Sequence, residues 1–529
     1  MKKTIILTLS ILCSAYTTAQ KEMYNWVFGQ QCGLTWNTTR SWPVGDLLAG
    51  GETELSGLPT PFFTLINGGG GTGTISDKKG NLLLYADAGY LYRGNHQQVP
   101  SVGFGGDHNT TGGGTTMAPF PGNSALTVVI SGNQRYSMTL GPDFFYTIIN
   151  STTGAVIKEV TRMPNPAGLP QSVYVVRHAN GADYWIVATG IELYNGTHIY
   201  MNAWLLTKDG ISNTPVVSDM GVPPGGFSTS QYLKMTPEGD HFVWTYGGSS
   251  SPGFYYGDFN ISTGTMSNLK HMPMTHKFAG TTGVEYSPDG SLVYVSTNPY
   301  RLHVYKTGEL FSSMAPAAVT RKEYSLPVYN YDDANINALL LGPDKRIYGT
   351  RPGMSDMFIL DNVNDFDNLK VYRTKADITV GGYRNQSFLM DPIKKNMAHG
   401  YGLPIFPASF FLVEPEIKAF GCTGNDVKYT VDIDMTGSGA DQPVKITWDF
   451  GDGSPTVDQP LSVGVNSYSQ QHTYATVGTR NIIVTPYRAN GTSLKAIKMP
   501  AKTVDCSIRT NRMIRTDLQN TDIIKMMTE

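Results

Sequence analysis

Lys234-Met-Thr-Pro-Glu-Gly-Asp-His-Phe-Val-Trp-Thr, Glu285-Tyr-Ser-Pro-Asp-Gly-Ser-Leu-Val-Tyr-Val-Ser and Leu340-Leu-Gly-Pro-Asp-Lys-Arg-Ile-Tyr-Gly-Thr are copies of one pattern. Each passes from an apolar strand end through Pro and an acid into a stretch rich in Val, Tyr or Trp. Proline presets φ at the first central position of a turn, the acid follows and Gly closes it, so each copy reads as a hairpin. Pro237 and Pro288 lie 51 residues apart, and Pro288 and Pro343 lie 55 apart. A fixed period of this size is the mark of a repeat architecture.

Weaker copies extend the series: Leu140-Gly-Pro-Asp-Phe-Phe-Tyr-Thr, Ser76-Asp-Lys-Lys-Gly-Asn-Leu-Leu-Leu-Tyr, His178-Ala-Asn-Gly-Ala-Asp-Tyr-Trp-Ile-Val and Met390-Asp-Pro-Ile-Lys-Lys. Seven markers between about residues 78 and 392 give units of roughly 50 residues, each long enough for a four-stranded sheet. No helical periodicity of ten or more residues interrupts them. Radial repetition of such sheets is a β-propeller, which protects strand edges without a closed barrel. The expected fold is all-β, with a propeller of seven blades over residues 22–413, eight remaining open. Ring closure is assigned to Trp26-Val27-Phe28, completing the last blade with the strand-like Ile405-Phe406 and Phe410-Phe411-Leu412.

Composition agrees. Of 529 residues, 58 are Gly, 31 Pro, 30 Tyr, 21 Phe and 7 Trp, and only 16% are charged, which disfavours a helical protein. The net charge of −2 offers no basic domain for phosphates, so no nucleic-acid partner is expected.

Residues 1–19 read as an export signal: Lys2 and Lys3, an apolar run from Thr4 to Ser14, then Thr17-Thr18-Ala19 before Gln20. Cys13 lies in that run, but Ser10-Ile11-Leu12 before it is a poor lipobox. The run is too short to anchor the chain, and no later stretch reaches the ~18 apolar residues of a transmembrane helix. The expected location is exported: periplasm, outer-membrane surface or secreted. Cys32, Cys422 and Cys506 follow the signal. Cys32 reads as a small buried hydrophobe. Cys422 and Cys506 bracket a β-rich segment, export permits a disulfide between them, and that bridge is the expected pairing.

Composition shifts at Glu414-Pro415-Glu416. Residues 417–506 read as a second, sandwich-like domain, with strands from Val427 to Ile433, Val444 to Phe450, His472 to Tyr474 and Asn481 to Thr485. Residues 507–529 form a C-terminal tail. Trp448-Asp449-Phe450-Gly451-Asp452-Gly453-Ser454, followed by His472-Thr473-Tyr474 and Val477-Gly478, resembles a polycystic kidney disease (PKD) domain over about 90 residues. The resemblance implies an Ig-like spacer or binding module of surface proteins, with Trp448 and Phe450 on one sheet face and Asp452-Gly453 making a turn.

The larger region resembles a group of exported Bacteroidota envelope proteins in which a propeller precedes a PKD domain. The matching pieces are Trp26-Val-Phe-Gly, Gly73-Thr-Ile-Ser-Asp-Lys-Lys-Gly-Asn-Leu-Leu-Leu-Tyr, Asn95-His96, Ser124-Ala125-Leu126-Thr127-Val128 and Gly402-Leu403-Pro404. Some members of that group use the type IX secretion route, whose C-terminal sorting domain is not recognisable after Cys506.

No G-x-S-x-G, H-E-x-x-H, Walker loop or zinc signature is present in the sequence. The glycine runs Gly68 to Gly71 and Gly112-Gly113-Gly114 lead into strands rather than helices, so they are read as lining a crowded channel instead of cradling phosphate. His271 and His276 could form a loop metal site, but a scattered pair is the simpler reading. Asp332-Asp333, beside Tyr329 and Tyr331, would face opposite sides of a strand and not flank one glycosidic bond. Tyr255-Tyr256, Tyr300, Tyr329 and Tyr331 are either aromatic platforms or fillers between blades. No catalytic, cofactor or metal residues are assigned. The expected function is a non-enzymatic envelope or secreted binding scaffold, one propeller face taking a protein partner or surface glycan and the PKD module acting as spacer. The alternative is a polysaccharide hydrolase or lyase with acids gathered in the channel.

Overall fold

The protein's structure is a computed structural model that describes residues 21–67, 70–104, 114–133, 143–191, 198–221, 229–247, 253–274, 281–297, 301–326, 336–350, 356–374, 402–411, 419–433, 443–462 and most of 465–504. Residues 1–20, Cys506 and residues 507–529 lie outside them. Strands dominate, and the chain divides between residues 412 and 413 into a large and a small compact unit.

The large unit begins with a hairpin of β1 (Asn25–Phe28), β2 (Gln30–Leu48) and β3 (Glu54–Asn67). Then come β4 (Gly73–Ser76), β5 (Leu82–Ala86), β6 (Tyr90–Arg93) and β7 (Gln98–Gly103), and β8 (Thr115–Pro119), β9 (Leu126–Asn133), β10 (Asp143–Asn150) and β11 (Val156–Arg162). The third sheet holds β12 (Leu169–Arg177), β13 (Tyr184–Ile191), β14 (Ile199–Thr207), β15 (Gly210–Ile211) and β16 (Val216–Asp219). The fourth holds β17 (Thr229–Met235), β18 (His241–Gly247), β19 (Gly253–Phe259) and β20 (Met266–Pro273). The fifth has β21 (Thr281–Tyr286), β22 (Leu292–Thr297), β23 (Arg301–Lys306) and β24 (Arg321–Ser325), with a short α1 (Thr307–Leu310) after β23. Last come β25 (Leu339–Leu341), β26 (Ile347–Gly349), β27 (Phe358–Asp361) and β28 (Lys370–Thr374).

Within each sheet of the large unit the pairing is antiparallel and the first four strands follow chain order, with β16 added beside β14 and β2 beside β28. The first strands are neighbours in turn: β1 against β4, β4 against β8, then β12, β17, β21 and β25. Trp26 of β1 packs on Tyr348 of β26, with ring centroids 5.7 Å apart, so the series returns on itself. This is a β-propeller.

Closure differs from expectation in detail. Trp26-Val27-Phe28 is a first strand beside β4; the strand that completes the last sheet is the far end of β2, Val44 to Leu48, against β28. Glu52 clasps that edge by accepting hydrogen bonds from Lys370 Nζ (3.0 Å) and the Tyr372 hydroxyl. Arg346 Nη1 donates to the Ser56 carbonyl at 3.0 Å.

The Pro-acid-Gly markers at Pro237, Pro288 and Pro343 are the turns between first and second strands. Gly239 N–H donates to Thr236 O (2.9 Å), Gly290 N–H to Ser287 O (2.8 Å) and Lys345 N–H to Gly342 O (3.0 Å). Gly80 and Gly181 close the same turn in their sheets. All five residues have positive φ, and Lys345 (φ 66°) takes this strained place without being glycine. The Leu140 marker is out of phase, because Asp143 opens β10, a third strand; the matching turn of that sheet is Phe120–Ala125. The Met390 marker lies outside the described residues.

A second repeat, unread in the sequence, sits one strand further. The first strands β12, β17 and β21 are bulged, and the amide beside each bulge donates to a hydroxyl of the second strand. Ser172 N–H meets Thr189 Oγ1 (3.1 Å), Tyr232 N–H meets Thr245 Oγ1 (3.1 Å), and Gly283 N–H meets Ser296 Oγ (2.8 Å). Thr350 accepts likewise from Ala338 N–H at 3.1 Å. Thr245 and Thr282 then donate to Thr282 O (2.9 Å) and Ile336 O (2.8 Å), stitching neighbouring sheets together.

The small unit has two sheets around one core. One is β29 (Ala419–Cys422), β35 (Ile497–Val504), β34 (Gly478–Arg488), β31 (Pro443–Asp449) and β32 (Val457–Pro460), in that order; the other is β30 (Asp426–Asp432) with β33 (Ser467–Thr473). Trp448 and Phe450 are both buried in that core, rings stacked at 6.2 Å. Gly453 has φ 82° and Asp452 Oδ1 accepts from Ser454 N–H (3.1 Å), which makes the turn leaving β31. Cys422 ends β29 opposite Val504 in a parallel pairing.

Candidate functional site

A propeller's first strands surround its axis, so the side chains they carry are the first place to look for chemistry in the channel. Across the first strands β1, β4, β8, β12, β17, β21 and β25 the sequence supplies one acid, Glu285. It is not free to act on a substrate. Lys234 Nζ stands 2.7 Å from Glu285 Oε2, with side chains 9% and 1% exposed. The same carboxylate accepts from Leu341 N–H (3.0 Å) through Oε2 and from Tyr286 N–H (2.8 Å) through Oε1. Both of its oxygens are therefore satisfied from three consecutive sheets.

Lys234 and Glu285 stand three residues before Pro237 and Pro288, at the same position of successive repeats, and Leu340 occupies that position in the next. Equivalent positions on neighbouring first strands meet at the axis, so opposite charges there pair between sheets. The Lys234 ammonium also lies 4.0 Å from the Phe411 ring centroid, a cation–π contact strengthened by desolvation. Burial pulls this ammonium below its ordinary pKa range, against the opposing pull of Glu285.

Phe411 belongs to a segment that the sequence misassigns. Ile405-Phe406 and Phe410-Phe411 form no blade strand: Ala408–Phe411 is a 3₁₀ turn, and Gly402 to Phe411 threads the ring's centre. It enters beside the starts of β4 and β8, where Ile405 N–H donates to Thr72 O (2.9 Å) and Thr116 Oγ1 donates to Ile405 O (2.8 Å). The isolated bridges there run parallel to the first strands, and the segment reaches Lys234 near the far end of β17. Leu403, Ile405, Phe406, Ala408 and Phe411 are all buried. Gly402 passes so close that a Cβ on it would sit 2.4 Å from the Gly70 carbonyl carbon. The glycine-rich run is thus a place of close backbone approach at the axis, as far as Gly70 and Gly71 are described.

The other sequence candidates disperse. His271 is half-buried on β20 beside Tyr255 (5.1 Å), whereas His276 lies outside the described residues. So do Asp332, Asp333, Tyr300, Tyr329 and Tyr331. Tyr255 and Tyr256 are 1% exposed and fill space between sheets, so they are no platforms. Cys32 is buried in the core. Among the described residues no group of three or more His, Cys, Asp or Glu is placed to hold a metal, and no helix is long and apolar enough to cross a membrane.

A different concavity opens on the outer part of the ring, where β19 and β20 face the chain after α1. It has a volume of about 400 Å³, and its walls include Tyr256, Asp258, Asn268, Lys270 and Phe311. A bulge between Tyr256 and Asp258 shapes it, with Asn268 at φ 54° and Gly257 where a Cβ would meet the Ser267 carbonyl at 2.7 Å. The bulge turns the Asn268 amide onto Asp258 Oδ2. Asp258 Oδ1 is 2.8 Å from His241 Nδ1, and the His241 ring stacks on Phe311 with centroids 4.3 Å apart. Lys270 Nζ donates to Ser312 O at 2.8 Å. The Tyr256 hydroxyl has no partner among the described residues, and burial pushes it up to a pKa of about 12.

No family model and no curated protein matches the chain. Among solved structures it is similar to the β-propeller domain of Cps50 (Swd1) from Myceliophteria thermophila, at 10% identity over 66% of this chain and 96% of that one, TM-score 0.35. It is also similar to a Dos1 propeller (10%, 57% and 71%, TM-score 0.33) and to a streptogramin B lyase (14%, 58% and 83%, TM-score 0.33). At such identities and scores the likenesses carry nothing about activity, and the propeller follows from the order of the sheets themselves.

Proposed function

We propose that the chain is a non-enzymatic binding scaffold of the cell envelope, exported by its N-terminal segment, with a protein partner or surface glycan held on the outside of the large unit. In this reading the propeller has seven blades, the β1–β2–β3 hairpin counting as the first, and the small unit is a PKD-like spacer with a Cys422–Cys506 disulfide. What supports it is the state of the axis: the chain's own residues 402–411 occupy it, and the one acid of the first strands is locked by Lys234 and two backbone amides. A glycosidase needs two carboxyl groups about 5–10 Å apart across an open cleft. The first strands supply one acid, and it is engaged.

Affinity purification of the tagged protein from mildly cross-linked envelopes, with fractionation and mass spectrometry, tests the proposal. A stoichiometric envelope partner or a retained glycan is the expected result. A partner-free protein that shortens a polysaccharide would overturn it.

A further inference from the structure

The geometry points to the pocket between β19, β20 and Phe311 as a saccharide site, taking the terminal one or two sugar rings of a neutral glycan. This rests on the binding reading above and gives it a location. The argument begins with size. A concavity of about 400 Å³ falls within the ~300–1,000 Å³ span of small-molecule sites.

Charge narrows the choice. An anionic ligand would meet the Asp258 carboxylate, and a cationic one the Lys270 ammonium. A neutral polyol meets neither penalty, because each hydroxyl can donate to one group and accept from the other. Both groups are also held in place before any ligand arrives. Asp258 is gripped on Oδ1 by His241 and on Oδ2 by the Asn268 amide, which leaves lone pairs in a fixed plane; Lys270 is tethered to the Ser312 carbonyl and keeps further donors. Preset donors and acceptors of opposite charge suit vicinal hydroxyls, and pre-organisation lowers the cost of binding.

The walls supply the rest. Phe311 contributes apolar surface for the C–H face of a sugar ring, and its own position is fixed by the His241 stack. Behind it the Tyr256 ring closes the floor of the pocket, its hydroxyl buried. The bulge at Gly257 and Asn268 is a local departure from the ladder that aims one amide at Asp258.

The test is saturation-transfer NMR on the full-length exported chain with cellobiose, maltose, lactose, xylobiose and N,N′-diacetylchitobiose at millimolar concentration. At least one should bind saturably. Affinity should fall about tenfold or more in both Asp258→Ala and Lys270→Met, each losing one hydrogen-bonding partner, while Tyr256→Phe, which removes a hydroxyl buried out of a ligand's reach, should leave it unchanged. Circular dichroism and melting of each variant check that the fold is intact. Saturation by none of the five sugars, binding unchanged in both variants, or preferential binding of inorganic phosphate or of glycine would overturn the assignment. Envelope partners still captured by Asp258→Ala would leave the scaffold reading standing while the pocket assignment fails, so the two are separable.

Discussion

Two charge pairs show how differently this chain uses an ion pair in its two units. Lys234 and Glu285 are buried at the axis of the large unit and belong to successive repeats. Asp452 and His472, 2.8 Å apart in the small unit, sit where a turn leaves β31, with the His472 ring stacked flat on Phe450 at 4.0 Å. The first pair exists only because two sheets meet, so it reports their registry. The second also joins two sheets, the turn after β31 and β33, but it rides on an aromatic stack that would hold the ring without any charge. A buried pair is weak as a source of stability but severe when broken, because one charge is left in a low-dielectric interior. The Asp452–His472 pair keeps some contact with water, its side chains 19% and 15% exposed, so less is lost when it is broken.

The most damaging way to break this contrast is Glu285→Ala. It leaves the Lys234 ammonium buried without its partner and should cost about 3–5 kcal/mol in urea unfolding. The double variant Lys234→Met/Glu285→Leu should recover most of that loss, since an apolar pair of similar volume removes the unpaired charge. A loss under about 1 kcal/mol in the single variant would put the axial pair in the same class as Asp452–His472.

Gly402→Ala is the next step down. Its Cβ would strike the Gly70 backbone, which cannot move aside as a flexible side chain would, so overpacking of about 1–3 kcal/mol is expected. The loss should appear as faster hydrogen exchange in peptides of β4 and β8, with the small unit unchanged. Unchanged exchange at β4 and β8 would mean that the segment does not bear on them.

The smallest effect is at the Asp452 pair. Burial raises the pKa of this carboxyl, but hydrogen bonds from Ser454 and His472 outweigh it and hold the group down at about 2. A carboxyl depressed in the folded state stabilises above its unfolded pKa and loses that contribution as pH falls through the folded value. The effect therefore lies between about pH 4 and pH 2. His472→Phe keeps the stack and removes the pair, so it should flatten the acid limb of small-unit exchange protection while leaving neutral-pH protection nearly unchanged. A large loss at neutral pH would show that the pair, not the stack, holds the turn.

Much of the ring was legible because its turns are made by residues with strong local preferences. Pro237, Pro288 and Pro343 mark first-to-second-strand turns, and the residues that follow the acids, Gly239, Gly290 and Lys345, have the positive φ such turns demand. The Leu140 marker misled because Pro-Asp serves any turn, and only strand order tells which one. The axial pair was also present in the text: Lys234 and Glu285 are separated by the repeat length, and opposite charges at one repeat position are a sign of contact between blades. The hydroxyls at 189, 245, 296 and 350 recur at a similar interval, each closing a run of strand formers. By contrast, Ile405 to Phe411 was unreadable, since a short apolar run is the same whether it pairs in a sheet or threads a channel. The outer pocket left no trace either, as it depends on a bulge at Gly257 and on a four-residue helix outside the repeat.

The central claim is that the axis is filled by the chain itself. Hydrogen exchange of the peptide covering residues 402–411 in the native protein measures it directly. Protection comparable to that of β4 and β8 is the predicted result, since Ile405 N–H is bonded to Thr72 O inside the ring. Exchange within seconds, as for an exposed loop, would contradict it and reopen the channel as a place where chemistry happens.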